Sequence, residues 1–426
     1  MKRRNFVGLT IASAGAGVLF AFGQSSSIKK YQQIELGDLE NKTKDAKAIT
    51  TEERKLRIKK AQQLLQKNEI HALIIEPSTN LNYFTGLKWW PSERTMVAII
   101  PAVGEVSYVC PAFEEDRFRE LIQIGKEVFI WQEDESPSKQ IAKALKKYGY
   151  SNGKIAIEEN TRFFIADDLK KAAPDYHYIC GNSITTPCRK IKSAAEIALM
   201  QLASDITVDA IKVGMRSLKE GMSPNDVSNI IAKAHEKMGA NHDFALVTFG
   251  EASAFPHGTT KPQYLKKGDV VLMDCGCTVK GYSSDITKTF VFGTPTARQT
   301  EIWNLEQQAQ LAGFNAAKIG ATCESVDFAA RKVIVNSGFG PGYKIPGLPH
   351  RTGHGIGMNG HEHCYIVKGN KELLQTGMCF SIEPTISIIG EFGIRLEDCV
   401  YMTDEGPKWF SKPSPAINEP FKGFIV

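Results

Sequence analysis

Behind Thr50 the apolar residues Leu56, Ala61, Leu64 and Leu65 recur at helical spacing, and Glu53 completes a capping box. The segment HALIIEP then reads as a buried strand, and Met96–Pro101 with Val106–Cys110 as a hairpin around Val103-Gly104-Glu105. From there the pattern alternates. Helical stripes cover Ala112–Ile124, Ser138–Lys147 and Phe163–Ala173, and strand-like runs cover Val128–Gln132, Lys154–Glu158 and Tyr176–Cys180. This alternation predicts an α/β domain with a mixed sheet over residues 51–189. Its Pro-flanked loop carries Trp89-Trp90, readable as a packing anchor or as a lid over a pocket.

The pattern changes over residues 190–426. Ala194–Met215 and Pro224–Met238 are amphipathic helices, FALVTFG is a strand, and Phe255-Pro256-His257-Gly258 is a turn. The apolar run Val270–Met273 and the β-branched, aromatic run Thr287–Phe292 flank Lys280-Gly281, which reads as a hairpin turn. Helices over Thr300–Ile319 and Cys323–Ser337 follow, then a Gly/Pro-rich stretch, a histidine cluster and a second strand–turn–strand segment. The order helices–hairpin–helices–hairpin predicts an α+β body with two hairpins facing a shared centre.

Composition narrows the class. Hydrophobic residues make up 42% and charged residues 23% of the 426, which suits a soluble globular protein. Lys2, Arg3 and Arg4 supply three of the net +5 charges, and no long basic run remains elsewhere. Nucleic-acid binding is therefore not expected. The nine cysteines are scattered and form no CxxC pair. Residues 1–23 read as an export signal: Arg3-Arg4-Asn5-Phe6-Val7 resembles a twin-arginine motif ahead of an uncharged Gly/Ala-rich stretch. The expected location is periplasmic, with no membrane span once the signal is removed; an ordinary secretory signal or an uncleaved anchor is the alternative. Residues 24–50 read as a linker.

The chemistry lies in the two hairpins. Asp274 and Asp285 are equidistant from a point between Val279 and Lys280, so a fold about that point sets the carboxylates opposite each other. Opposed like charges destabilise a sheet, and two close carboxylates do not both ionise cheaply. A divalent cation between them resolves the conflict. Glu383 and Glu397 repeat the device about Gly390, and HRTGHGIGMNGHEH, with His350, His354, His361 and His363, lies between the hairpins. Four carboxylates and a histidine suit a two-metal site better than a four-ligand zinc site. Cys275, Cys277 and Cys399 flank the acids, but an oxygen-rich site favours reading them as buried free thiols.

DCGCTVKGYSSDITKTF, HRTGHGIGMNGHE, SIEP and GIRLED resemble the signature segments of the Xaa-Pro aminopeptidases and prolidases, metallopeptidases of the pita-bread fold. KKAQQLLQKNEIHALIIEPSTNLNYFTG is similar to the start of their creatinase-type amino-terminal domain. The resemblance implies two divalent ions, manganese first among manganese, cobalt, zinc and iron. It implies that Asp274 binds one ion, that Asp285 and Glu397 bridge, and that His354 and Glu383 complete the second. It further implies that His257 and His361 contact substrate in the transition state, that His350 lines a proline pocket, and that Glu383 and Arg395 join the catalytic set. Lys288 stands where arginine is common in the family segment. The expected reaction releases an amino-terminal residue preceding proline, by attack of a hydroxide held between the metals. A strict Xaa-Pro dipeptidase is the alternative. A non-catalytic binding protein or a metal-free creatinase-like hydrolase is disfavoured, because all five ligand positions are kept. The family resemblance also implies proline-containing peptides as partners and a dimer or tetramer in which Trp89-Trp90 borders a neighbour's site.

Overall fold

Thr50 caps the first helix, its hydroxyl accepting from the Glu53 amide at 3.1 Å, but the expected capping box does not close: Glu53 Oε1 accepts instead from Arg57 and Ser193, each at 2.8 Å. The computed structural model describes residues 39–422, so the expected export signal lies outside the described residues. The described end of the expected linker is not free. Lys42 N–H donates to the Met238 carbonyl at 2.9 Å, Thr43 Oγ1 donates to the Gly239 carbonyl at 3.0 Å, and Ile49 is buried in the core of the second unit.

The first unit runs α1 (Thr51–Lys67), β1 (Ile70–Ile75), α2 (Thr79–Thr85), β2 (Val97–Pro101), β3 (Ser107–Pro111), α3 (Glu115–Leu121), β4 (Glu127–Trp131), α4 (Pro137–Lys147), β5 (Gly153–Ile157), α5 (Phe163–Ala172), β6 (Tyr176–Cys180) and α6 (Asn182–Lys190). The sheet order is β4-β3-β2-β1-β5-β6. β1–β2 and β2–β3 are antiparallel and the other pairs parallel, so the sheet is mixed as expected. Alternate residues of β1 feed two cores: Leu73 and Ile75 on one face, Ala72 and Ile74 on the other. Helices α2 and α6 were not legible; α6 carries Pro187 inside it. Trp89 is anchored edge-on against Phe118 at 5.4 Å, whereas Trp90 is 89% exposed.

The second unit opens with α7 (Ala194–Arg216) and α8 (Pro224–Lys237), each started by a capping box, Ser193 with Glu196 and Ser223 with Asp226. They pack on a sheet ordered β10-β8-β7, where β7 is Asn241–Phe249, β8 Val270–Val279 and β10 Ile286–Val291; β9 (Tyr282–Ser283) adds to β8. Then come α9 (Ala297–Ala316) and α10 (Cys323–Asn336). The second sheet has the order β12-β11-β13-β16-β17, from β11 (Gly353–Gly355), β12 (Glu362–Ile366), β13 (Cys379–Ile382), β16 (Asp398–Thr403) and β17 (Gly406–Trp409). A separate pair, β14 (Thr385–Ile388) with β15 (Phe392–Arg395), packs with α9. The two units meet through buried polar contacts. Arg57 of α1 donates to Tyr282 Oη at 3.0 Å, and that phenol donates to Glu196 of α7 at 2.9 Å. Among the described residues no helix is long and apolar enough to cross a membrane.

Candidate metal centre

The first acidic hairpin turns one residue later than the symmetry of its aspartates suggests. Lys280 and Gly281 both take positive φ, 50° and 87°, as a two-residue hairpin turn requires. The axis therefore falls between them, and the register pairs Asp274 with Thr287 and Cys275 with Ile286. Asp285 does not oppose Asp274; it sits in the gap between β9 and β10. It still points to the same face, because it lies two residues from Thr287. Gly276 permits this approach, since a Cβ there would meet the Ser284 carbonyl at 2.6 Å.

The second hairpin follows its predicted symmetry. β14–β15 pairs Thr385 with Arg395 and turns at Gly390, and β13–β16 keeps that register by pairing Ile382 with Asp398. Glu383 and Glu397 occupy the break between the two ladders. An isolated bridge, Thr287 to Glu397, joins the hairpins.

These breaks bring the acids together. One ligand atom from each of Asp274, Asp285 and Glu397 lies within 4.8 Å of the others, and the same holds for His354, Glu383 and Glu397, and for Asp285, His354 and His361. His354 Nδ1–H donates to the Gly355 carbonyl at 3.1 Å, which turns Nε2 toward the acids. Nε2 lies 3.1 Å from Glu383, 3.7 Å from Asp285 and 3.9 Å from Glu397. Burial pushes Asp285 and Glu397 well above the usual carboxylate range, and the neighbouring acids push them further. Burial also raises Asp274, against the opposing pull of Arg395. Glu383 goes the other way. Burial opposes its charge, yet the adjacent His354 holds it down at about 2. Burial likewise opposes charge on His354, and Glu383 overrides it, raising the imidazole to about 9.

Asp274 Oδ1 and Glu397 Oε1 are buried without a hydrogen-bond partner. Unpartnered buried carboxylate oxygens are costly, and oxygen donors in this number suit hard divalent cations. The donor set therefore fits such ions. The cysteines do not join it. Cys399 Sγ donates to the Asp285 carbonyl at 3.3 Å, and burial pushes the Cys275 and Cys399 thiols well up.

A cavity of about 950 Å³ opens over the acids. His257, His350, Arg351, His361 and Arg395 line it. Arg395 is buried; it donates to Thr287 Oγ1 at 3.1 Å and to the Pro256 carbonyl at 3.0 Å, and pairs with Asp274. It thus ties the His257 turn to the acids. His350 is held at both nitrogens, by the Arg351 carbonyl at 2.7 Å and Thr385 Oγ1 at 3.0 Å, and burial lowers its pKa. His361 packs on His354 with ring centroids 3.9 Å apart, and burial, then the charge of His354, lowers its imidazole to about 4. Neither tryptophan of the Trp89-Trp90 pair lines this cavity.

The nine residues assigned to the site from the sequence thus meet at one cavity, whereas His363 of the same histidine cluster lines a separate cavity of about 150 Å³. Three others escaped notice: Thr287, Arg351 and Ser381. Ser381 Oγ accepts from the His354 amide at 3.0 Å and donates to Glu383 at 3.1 Å. Its place two residues before Glu383, on the same strand face, was the available signal.

Carboxylates converging with an imidazole under an open cavity, on paired sheets backed by helices, define a metallohydrolase. The chain belongs to metallopeptidase family M24, whose pattern matches residues 198–404; the Creatinase/Prolidase N-terminal domain matches residues 57–191. The chain is 32% identical to a Lactobacillus helveticus protein named Xaa-Pro dipeptidase, over 84% of this chain and 96% of that one. Among solved structures, the prolidase of Thermococcus sibiricus superposes with a TM-score of 0.77 at 30% identity, covering 84% of this chain and 97% of that one. The dipeptidase PepE of Mycobacterium ulcerans gives 0.81 at 29%, covering 87% and 99%. The fold is the pita-bread fold with its amino-terminal domain, and the family uses divalent metal ions.

Proposed function

We propose that this chain releases an amino-terminal residue that precedes proline, using two divalent cations held by Asp274, Asp285, His354, Glu383 and Glu397. The observation that carries the reading is the pair of orphaned oxygens, Asp274 Oδ1 and Glu397 Oε1, inside this five-residue cluster. Asp285, Glu397 and His354 each belong to two of the close donor groups; only the two carboxylates have a second donor atom free to share, which suits them to bridging positions. Manganese is the first candidate, and cobalt, zinc and iron suit the same donors.

Bound there, two divalent ions lower the pKa of a water and polarise an amide carbonyl. Glu383 takes the proton from the attacking water and passes it to the leaving proline nitrogen, which has no N–H of its own. His257 and His361 donate hydrogen bonds to the carbonyl oxygen as charge grows on it. Arg395 keeps Asp274 and the Pro256 carbonyl in place. The neutral ring of His350 forms one wall for the proline.

A second reading, restriction to Xaa-Pro dipeptides, is favoured by Arg351. Its guanidinium lines the cavity, stacks 4.6 Å over Tyr365, and suits a free carboxylate one residue beyond the cleaved bond. Export to the periplasm and assembly into a dimer or tetramer belong to the same proposal.

The test is to load the protein with manganese and offer Ala-Pro and Ala-Pro-Ala with and without chelator. Alanine release from both, abolished by chelator and restored by manganese, is expected. Release from the dipeptide alone selects the second reading. No release from either overturns the proposal.

A further inference from the structure

His361 has little to hold it. It is exposed and forms a partition between two cavities, the one of about 950 Å³ over the acids and another of about 150 Å³ at the junction of the two units. Its ring meets the His354 ring and, at 3.4 Å, the Arg351 guanidinium. Among the described residues only these two contacts hold the ring, so the position of the main chain it shares with Glu362 bears directly on where the imidazole points.

The next residue is fixed on several sides. Glu362 is 8% exposed and begins β12 opposite Gly355, beside His354. One carboxylate oxygen pairs with Arg189 and accepts from the Asn359 amide at 3.1 Å; the other pairs with Lys192 at 3.1 Å. Arg189 lies in α6, the last helix of the first unit, and also donates to Asn80 Oδ1 at 3.1 Å. Asn80 donates in turn to Glu158 at 2.6 Å, and Thr79 Oγ1 donates to Asn359 Oδ1 at 2.6 Å. The tip of the histidine loop is thus gripped by the first unit. The fit is close: a Cβ on Gly357 would lie 2.8 Å from both Glu362 Oε2 and Lys192 Cε.

We infer that Glu362 is a positioning residue, clamped by Arg189 and Lys192, that aims His361 into the cavity and so makes the amino-terminal unit a requirement of the chemistry without entering it. A buried ion cluster is seldom a better source of stability than apolar packing, whereas its directional bonds fix one geometry. The inference rests on the hydrolytic role proposed above for His361.

The test is a double-mutant cycle on the manganese-loaded full chain, with metal content measured for each variant. Glu362→Gln is expected to keep the wild-type metal content and lower kcat at least about tenfold while KM stays within about twofold, the pattern of a lost transition-state contact. The double variant with His361→Ala is expected to be no slower than His361→Ala alone. Multiplying losses, or an unchanged kcat in Glu362→Gln, overturns the inference. Arg189→Lys keeps the charge but not the forked geometry, and gives the same cycle if Glu362→Gln fails to fold. Side-chain NMR of ring-labelled histidine reads the position without turnover. The His361 signals are expected to shift and broaden in either variant while those of His350 hold, and unmoved His361 signals sink the idea. A wild type that cleaves no Xaa-Pro peptide removes the catalytic role of His361, and the spectra still decide whether Glu362 positions it.

Discussion

Thr287 and Glu397, 110 residues apart, are joined three times: each backbone amide donates to the other's carbonyl, at 3.2 and 3.1 Å, and Thr287 Oγ1 donates to Glu397 Oε2 at 2.7 Å. The same hydroxyl accepts from Arg395. This seam holds the two acidic hairpins at a fixed spacing. Thr287→Val keeps the shape and leaves a buried carboxylate oxygen and a guanidinium N–H unpaired. The expected loss is about 1–3 kcal/mol in urea unfolding. Metal affinity, read by chelator competition, is expected to fall about 10–100-fold, as when the partner of a metal ligand is removed.

Asp285 belongs to two of the three close donor groups, so its charge is one that two cations would share. Asp285→Asn is expected to retain fewer than two metal ions per chain by elemental analysis and to lose hydrolysis of Ala-Pro. Full turnover with two ions retained would refute the bridging role.

His257 sits on the turn that Arg395 anchors, and it is absent from the close donor groups. For His257→Ala, metal content is expected to stay at the wild-type level while kcat drops at least about tenfold, as for other oxyanion donors. An unchanged kcat takes it off the catalytic list.

Away from the site, His235 lies fully buried between His242, Nδ1 to Nδ1 at 3.0 Å, and Thr207 Oγ1 at 3.3 Å. Burial, then His242, holds its imidazole down at about 3. Because the folded value is depressed, the unfolded chain binds the extra proton. The contribution is complete above about pH 6.5, is lost as pH falls, and stops changing near 3. In urea unfolding, the stability gap between wild type and His235→Gln is expected to shrink by about 1 kcal/mol over the pH unit below 6.5. A gap independent of pH contradicts neutral burial.

What could be read from the chain was whatever depends on local spacing. The mixed sheet, the capped helices and the Gly390-centred hairpin follow from period and turn chemistry. The Asp274–Asp285 register does not, because the symmetry of two acids carries no information about where the turn falls. The positive φ of Lys280 and Gly281 sets the axis instead, and Asp285 needs no ladder partner. The convergence of the proposed ligands was legible through motif resemblance. Its support was not: Thr287 to Glu397 and Arg189 to Glu362 are contacts over more than a hundred residues, between side-chain types with many other uses.

The two hairpins also differ in how much change of length they can absorb. The tip around Gly390 is exposed, with nothing within 4 Å of a Cβ built there, whereas Gly281 approaches Met358 and Asn82. Insertions at the Gly390 tip would leave every carboxylate where it stands. One residue added between Thr385 and Ile388 on a single arm would throw the pairing out of step and carry Glu383 or its partner to the wrong side of the sheet. Natural variation in loop size is accordingly to be sought at residues 389–391, with both arms and the Lys280-Gly281 tip holding constant length.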